Sequence, residues 1–286
     1  MMRKIVVGLD GSARSERSLP WVDRLFRDSE KILVKAVRPS QTFGGYVHEE
    51  GHRRAREAAQ AYLQSISMLM PQSNACVYEG SAAHALLTVA DKTRADAIVI
   101  TTHGGSDPTG TTMGGTAEQV LYGSHRPLLI VPSGGEPPAP VARLRKILVP
   151  LDGSLVSEMI LPLAHELAES QHVGVLLAHV LTGLEEIKFQ YQDMAGHFDW
   201  LKKRRLGTQV VVRKGKLPES IVTIAQEHEA DLVVMSAHGH GGLPRMLFGS
   251  IAAKLIRMAR TPVLVAKYET LKKLARKPDV PTSVVA

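Results

Sequence analysis

Apolar residues along this chain fall into short β-branched runs, separated by longer stretches in which they recur every three or four positions. The runs predict strands at Lys4–Leu9, Lys31–Val37, Ala75–Glu79, Ala97–Thr101 and Pro127–Val131. A second set follows at Lys146–Leu151, Gly174–Val180, Gln209–Arg213, Leu232–Ser236 and Pro262–Ala266. The stretches between them predict helices, among them Ser15–Arg27, Glu49–Met70, Ala82–Arg94 and Thr116–Ser124. A basic helix over Tyr268–Arg276 precedes a proline-interrupted tail. Strands that are apolar throughout and alternate with helices belong to a parallel sheet covered on both faces, because each crossover lays a helix over it. Five strands in each half predict two doubly wound, Rossmann-like α/β domains.

The halves also repeat one another residue by residue. Lys4-Ile-Val-Val-Gly-Leu-Asp-Gly-Ser-Ala-Arg-Ser-Glu16 returns as Lys146-Ile-Leu-Val-Pro-Leu-Asp-Gly-Ser-Leu-Val-Ser-Glu158, and Ala95-Asp-Ala-Ile-Val-Ile-Thr-Thr-His-Gly104 as Ala230-Asp-Leu-Val-Val-Met-Ser-Ala-His-Gly239. The period exceeds the roughly 20–50 residues of a solenoid unit, so each copy is a domain with its own core. Pro132-Ser-Gly-Gly-Glu-Pro-Pro-Ala-Pro140 breaks both helix and strand and serves as the linker. It sets domains at 1–137 and 143–268, followed by a C-terminal helix and tail at 269–286. The second copy is about seven residues shorter around 183–206, a length change expected of a rim loop.

Composition narrows the function. At 286 residues and 44% hydrophobic content the chain can bury two cores. A lone Cys76 forms no internal disulfide and is expected to be a buried structural thiol, in keeping with a reducing compartment. The first apolar run is cut by Gly8 and Asp10, too early for a signal peptide, and no run approaches the ~18 residues of a membrane span. These features point to a soluble, cytoplasmic protein. A formal charge of +7, with clusters at Arg53-Arg54-Ala-Arg56 and Lys202-Lys203-Arg204-Arg205, invites a nucleic-acid reading. Both clusters fall in helical patterns with few aromatics nearby, so they read as solvated helix faces, and the charge suits a small polyanion.

Ligands of an open parallel sheet bind beyond the carboxyl ends of its strands, where the winding reverses. In the second copy those ends carry Asp152-Gly-Ser154, Val180 and Ser236-Ala-His-Gly239, and a glycine-rich stretch then leads to Gly249-Ser250 at a predicted helix start. Glycines admit phosphate oxygens to backbone amides, and a helix start adds free donors and a positive dipole end.

With its Ser236-x2-Gly239-x9-Gly249-Ser250 spacing, the second half resembles a universal stress protein domain of the adenine-nucleotide-binding subclass, whose phosphate motif is Gly-x2-Gly-x9-Gly-Ser or Thr. Pro150-Leu-Asp152-Gly-Ser, Gly215-Lys-Leu-Pro-Glu219-Ser-Ile and Thr261-Pro-Val-Leu-Val-Ala266 fit the same family, and the likeness extends over both halves. The resemblance implies ATP as ligand, with magnesium left open. Pro150 and Asp152 would lie at the adenosine end, Val180 would offer its backbone to the base, and Met235-Ser236 would line the ribose. Gly239, His240, Gly249 and Ser250 would meet the phosphates. The first half keeps Asp10 and Val37 but reads Thr101-x2-Gly104-x9-Gly114-Gly115, with the hydroxyl displaced to Thr116 and an added Asp107 in the loop. It is expected to be a degenerate, weaker site, although Thr111 and Thr112 could supply replacement hydroxyls. The family also implies that the closing strands Pro127–Val131 and Pro262–Ala266 pair, making the chain a pseudo-dimer, with further homodimerisation left open.

Other chemistries fit less well. His103, His238 and His240 lack the further ligands that zinc requires. Gly239-x-Gly241-x2-Pro244 is no dinucleotide fingerprint, no Walker loop is present, and Ser133-Gly-Gly135 lies in the linker. Ser12 and Ser154 read as caps rather than nucleophiles. A nucleotide-binding regulatory protein is the leading expectation. The alternatives are a slow ATPase or phosphotransferase using Ser250 and His240, and a nucleotide-free scaffold.

Overall fold

The first strands form because Ile5, Val6 and Val7 are wholly buried in β1 (Lys4–Gly8), as are Ile98 and Val99 in β6 (Ala97–Thr101). Each such side chain contributes about 1.5–3 kcal/mol by leaving water. The computed structural model describes residues 2–38, 42–43, 46–47, 49–105, 113–134, 144–183, 207–239 and 248–275. The chain divides into two units, Met2–Pro140 and Val141–Ala286.

The first unit contains β1, α1 (Ala13–Glu16), α2 (Leu19–Leu25), β2 (Glu30–Val37), a short antiparallel pair β3 (Thr42–Phe43) and β4 (Tyr46–Val47), α3 (Glu49–Leu69), β5 (Ser73–Glu79), α4 (Ala82–Thr93), β6, α5 (Gly115–Gly123) and β7 (Leu128–Val131). Its five-stranded parallel sheet has the order β7-β6-β1-β2-β5. The second unit contains β8 (Lys146–Leu151), α6 (Leu155–Glu158), α7 (Leu161–Gln171), β9 (Gly174–Leu181), β10 (Thr208–Lys214), α8 (Glu219–Glu227), β11 (Leu232–Ser236), α9 (Ser250–Met258), β12 (Val263–Ala266) and α10 (Tyr268–Ala275). Its parallel order is β10-β9-β8-β11-β12. Right-handed crossovers place α1–α3 on one face of the first sheet and α4 and α5 on the other, and α4 packs on β1, β2 and α5.

Two expectations change. The helix predicted over Ser15–Arg27 is two helices, since Pro20 has no amide to donate and its ring would strike the carbonyl four residues back. The chain therefore restarts at Leu19 with proline in the first turn, and Pro162 does the same at the start of α7. The β3–β4 pair was not anticipated, being too short for a period to register.

Lys31 is the largest fully buried side chain of the first unit, and its Nζ donates to the carbonyls of Arg27, Ser29 and Pro71 at 2.8, 2.9 and 3.1 Å. The repeated Asp96 and Asp231 lie at the amino ends of β6 and β11. There Asp96 accepts from the amides of Arg3 and Lys4, and Asp231 from the amide of Arg145. This part of the repeat is a structural clamp at the amino ends of the strands, opposite their carboxyl ends. Arg53, Arg54 and Arg56 are exposed on α3, where Arg54 pairs with Glu50 and Arg53 with Glu57 at 3.8 Å. Cys76 is half-buried in β5, and burial pushes its thiol pKa up. Among the described residues no helix is long and apolar enough to cross a membrane. The linker from Gly135, the shortened connection with its Lys202–Arg205 cluster, Asp107, Thr111, Thr112, His240, Gly241, Pro244 and the tail from 276 lie outside the described residues.

Candidate functional site

In the first sheet β1 stands between β2 and β6, and connections leave it in opposite directions, which opens a crevice at its carboxyl end. The turn after β1 is organised by Asp10. Its Oδ1 accepts from the Ser12 amide at 2.9 Å and the Ser12 hydroxyl at 2.6 Å, and its Oδ2 accepts from the Gly105 amide at 2.8 Å. The last bond ties the β1 turn to the loop after β6. Burial, the largest influence, pushes this carboxyl up, but the Ser12 hydroxyl and the Gly105 and Ser12 amides together outweigh it and hold the pKa at about 2. Ser12 also caps α1, accepting from the Ser15 amide at 3.2 Å. From the opposite sheet face Lys35 donates to the Asp10 carbonyl and sits 5.4 Å over the Tyr62 ring.

The second unit repeats this turn. Asp152 Oδ1 accepts from the Ser154 amide at 2.9 Å and its hydroxyl at 2.6 Å, and Ser154 caps α6 by accepting from the Ser157 amide at 3.1 Å. His179, at the register position of Lys35, donates through Nδ1 to the Leu151 carbonyl at 2.8 Å.

Close approach explains the glycines. A Cβ on Gly104 would overlap the Asp10 carboxylate, and one on Gly239 would overlap that of Asp152. At Gly249 an added Cβ would lie 2.7 Å from the Ala237 carbonyl oxygen, and at Gly114 it would lie 3.3 Å from that of Thr102. These residues are needed for loop packing whatever the ligand. Gly115 differs, because an added Cβ there meets no atom within 4 Å.

Gly114 and Gly249 are the N-caps of α5 and α9, each extended and each donating to the loop before it, to Thr102 and Ala237 at 2.9 Å. The first-turn amides of both helices have no partner within the helix, so each start is an anion-binding feature. Ser250 and Thr116 are exposed there. In the first unit the crevice has a cavity volume of about 100 Å³ and opens to solvent. Asp10, Thr101, Gly104, Gly114, Gly115 and Thr116 all line it. Leu9, Val34, Ala36, Ala82, Leu86 and Thr102 do so as well, none of which the sequence reading singled out.

Strand register corrects one assignment. Gly8 pairs with Val34 and Pro150 with Ala178, so the first-unit counterpart of Val180 is Ala36. Val37 corresponds instead to Leu181, and the carbonyls of both accept from glycine amides, Gly80 at 2.9 Å and Gly215 at 3.1 Å. Val34 and Ala36 line the crevice because they alternate with Lys35, and this period of two was the available signal. Thr101, expected to impair the first site, turns its hydroxyl onto the His103 carbonyl at 2.9 Å. Thr102 and Ser133 hold His103 Nδ1 at 3.0 and 2.9 Å. In the second unit Pro150 and Val180 lie at strand ends near the Asp152 turn, Met235 and Ser236 are buried at the end of β11, and the His238 amide donates to Ser236 Oγ at 3.3 Å.

The fold and these loops define a class, a doubly wound α/β domain with an Asp-Gly-Ser turn and a glycine-capped helix at its switch point, present twice. The sequence pattern of the universal stress protein family matches residues 1–132 and again 143–267, and the chain belongs to that family as a tandem member. A universal stress protein of Mycolicibacterium smegmatis is 27% identical over 92% of this chain and 96% of its own length. One from Mycobacterium tuberculosis is 24% identical over 92% and 94%. The crystal structure of a universal stress protein from Archaeoglobus fulgidus superposes with a TM-score of 0.75 at 16% identity, covering 93% of this chain and 98% of that one, which shows a shared fold.

Proposed function

We propose that this protein is an adenine-nucleotide-binding regulator in which ATP is held mainly by the second domain. The observation that carries the reading is the seating of Gly249 against the Ala237 carbonyl, which ties the start of α9 to the loop whose Gly239 packs on Asp152, with Ser250 exposed. Backbone amides, a hydroxyl and the positive end of a helix dipole suit a chain of phosphates. Val180, Met235 and Ser236 would line the base and ribose, with Pro150 at the adenosine end. Gly239 and His240 would flank the phosphates.

Binding is favoured over turnover because Asp152 is occupied as a brace, with Oδ1 taken twice by Ser154. A ligand that prefers one arrangement of these loops shifts the chain toward it, the ordinary basis of a nucleotide-dependent regulator.

The test is to denature the purified protein, identify and count the nucleotide released, and titrate ATP into wild type and Ser250→Ala. A single ATP per chain is expected, with affinity falling about tenfold in the variant for one lost hydrogen bond to a charged group. Release of ADP alone would move the reading to hydrolysis. No released nucleotide and no binding would overturn it.

A further inference from the structure

A continuous row of polar contacts joins the long helix α3 to the wall of the first crevice. Asp10 lines that crevice, and its turn is held from the other face of the sheet by Lys35, whose Nζ donates to the Asp10 carbonyl. The ammonium lies so near the turn that a Cβ on Gly11, where φ is +86°, would come within 3.0 Å of it. Lys35 also sits 5.4 Å over the Tyr62 ring of α3, a cation–π arrangement. The Tyr62 hydroxyl then donates to Glu16 Oε1, at the end of α1, at 3.0 Å. Burial first, and the bond to Glu16 next, push this hydroxyl well above its ordinary range, so it stays a donor.

The helix itself is lightly held. Of its 21 residues only Ala59 and Leu63 are buried, where it packs on β2 and β5. His52 Nε2 lies 3.3 Å from Glu79, and the Ser67 hydroxyl donates to the Ser73 carbonyl at 2.9 Å, contacts that tie its ends to β5. Tyr62, in the middle, links it to the crevice turn. An element with so little buried surface opens locally at low cost, so each polar contact it makes weighs in its stability. In the second unit the register position of Lys35 holds His179, which donates straight to the Leu151 carbonyl, so the ammonium is a feature of the first domain.

We propose that Lys35 is a positioning residue that couples α3 to the first crevice, so that a ligand seated against the Asp10 turn tightens α3. This rests on the reading of the crevices as nucleotide sites. Linkage between sites is reciprocal, so whatever tightens α3 strengthens binding in the crevice by the same factor. Occupancy is thereby expressed on a helix whose outer face is exposed, ending in Met68 and Leu69 at 86% and 84% exposure.

The experiment follows hydrogen exchange and amide NMR of the nucleotide-free full-length protein, with ATP as the probe. Without ligand, the Gly105 amide, which donates to Asp10, should exchange about tenfold faster in Lys35→Met than in wild type. Lys35→Arg should restore the wild-type rate, since a guanidinium also donates to carbonyls and stacks on aromatic rings. Saturating ATP, judged by shifts at Gly104 and Gly114, should slow exchange across α3 about fivefold in wild type, the low end of ordinary coupling between sites. In Lys35→Met and Tyr62→Phe that slowing should shrink to no more than about twofold. A merely structural lysine would change the Gly105 rate and leave the response of α3 to ATP intact. Unchanged Gly105 exchange in Lys35→Met, an α3 response that persists in both variants, or ATP shifts at Gly104 and Gly114 with no change in α3 would each overturn the proposal alone. Silence at Gly104 and Gly114 while Gly239 and Gly249 respond would also overturn it and leave the nucleotide reading of the second domain standing. Silence at all four would overturn both.

Discussion

Replacing Gly239 by alanine tests whether the loop after β11 is locked to the turn after β8. The new methyl would overlap the Asp152 carboxylate, so the loop or the carboxylate must move. Rotating the carboxylate away breaks the Oδ1 bonds from the Ser154 amide and hydroxyl, at 2.9 and 2.6 Å. Hydrogen bonds to a charged group contribute roughly 1.5–3 kcal/mol each when fully protected. Asp152 is only half-buried, so water recovers much of this, and the entropy lost by an unfolded alanine is smaller than that of glycine by up to ~1 kcal/mol. The net expected destabilisation of the second domain is about 2 kcal/mol. Urea denaturation of the full chain, followed by circular dichroism and fitted as two domain transitions, measures it, and ATP titration of the folded variant should show weakened binding. Unchanged stability together with unchanged ATP affinity would refute the reasoning, since the loop would then be free to move off the carboxylate at no cost.

Other outcomes follow from the same geometry. Lys31→Met strands three carbonyls that now share one buried ammonium, so the first domain should lose roughly 2–4 kcal/mol in denaturant melts. Asp10 has a folded pKa of about 2 against an ordinary 3.8, so its contribution is fully present above 3.8 and disappears as pH falls through the folded value. Because the group is partly exposed, screening reduces this to about 1 kcal/mol, and Asp10→Asn should flatten the stability–pH curve between about 4 and 2. Gly249→Ala, with its Cβ 2.7 Å from a backbone oxygen, should lower thermal stability by about 1–3 kcal/mol. At the start of α5 in the first domain, Gly115→Ala should be neutral or stabilising by up to ~1 kcal/mol, and calorimetry of the two variants checks the contrast.

Much of the fold was legible from local pattern. The continuous apolar runs marked the strands to within a residue or two, because a strand buried on both faces has little room for polar residues. Pro20 and Pro162 already stood in the sequence where the helices after β1 and β8 break, yet amphipathic spacing runs through Pro20 and obscured it. The repeat marked Asp10, Gly104, Asp152 and Gly239 without saying what they touch.

Sequence alone therefore determined the alternation of elements, the duplication of the domain and the residue types at the strand ends, since each is written in spacing along the chain. The tertiary structure decided which of those residues meet. Asp10 and Gly105 are 95 positions apart, and their bond exists only because β1 and β6 are neighbours in the sheet. The choice of Ala36 over Val37 was equally out of reach, since a one-residue change of register turns every side chain to the opposite face and register is set by the partner strand. The same holds for Lys31, whose three carbonyl acceptors are brought together by the loop between α2 and β2 and the turn before β5. Local periodicity fixes what a segment becomes, whereas close approach between segments distant in sequence fixes what its side chains do.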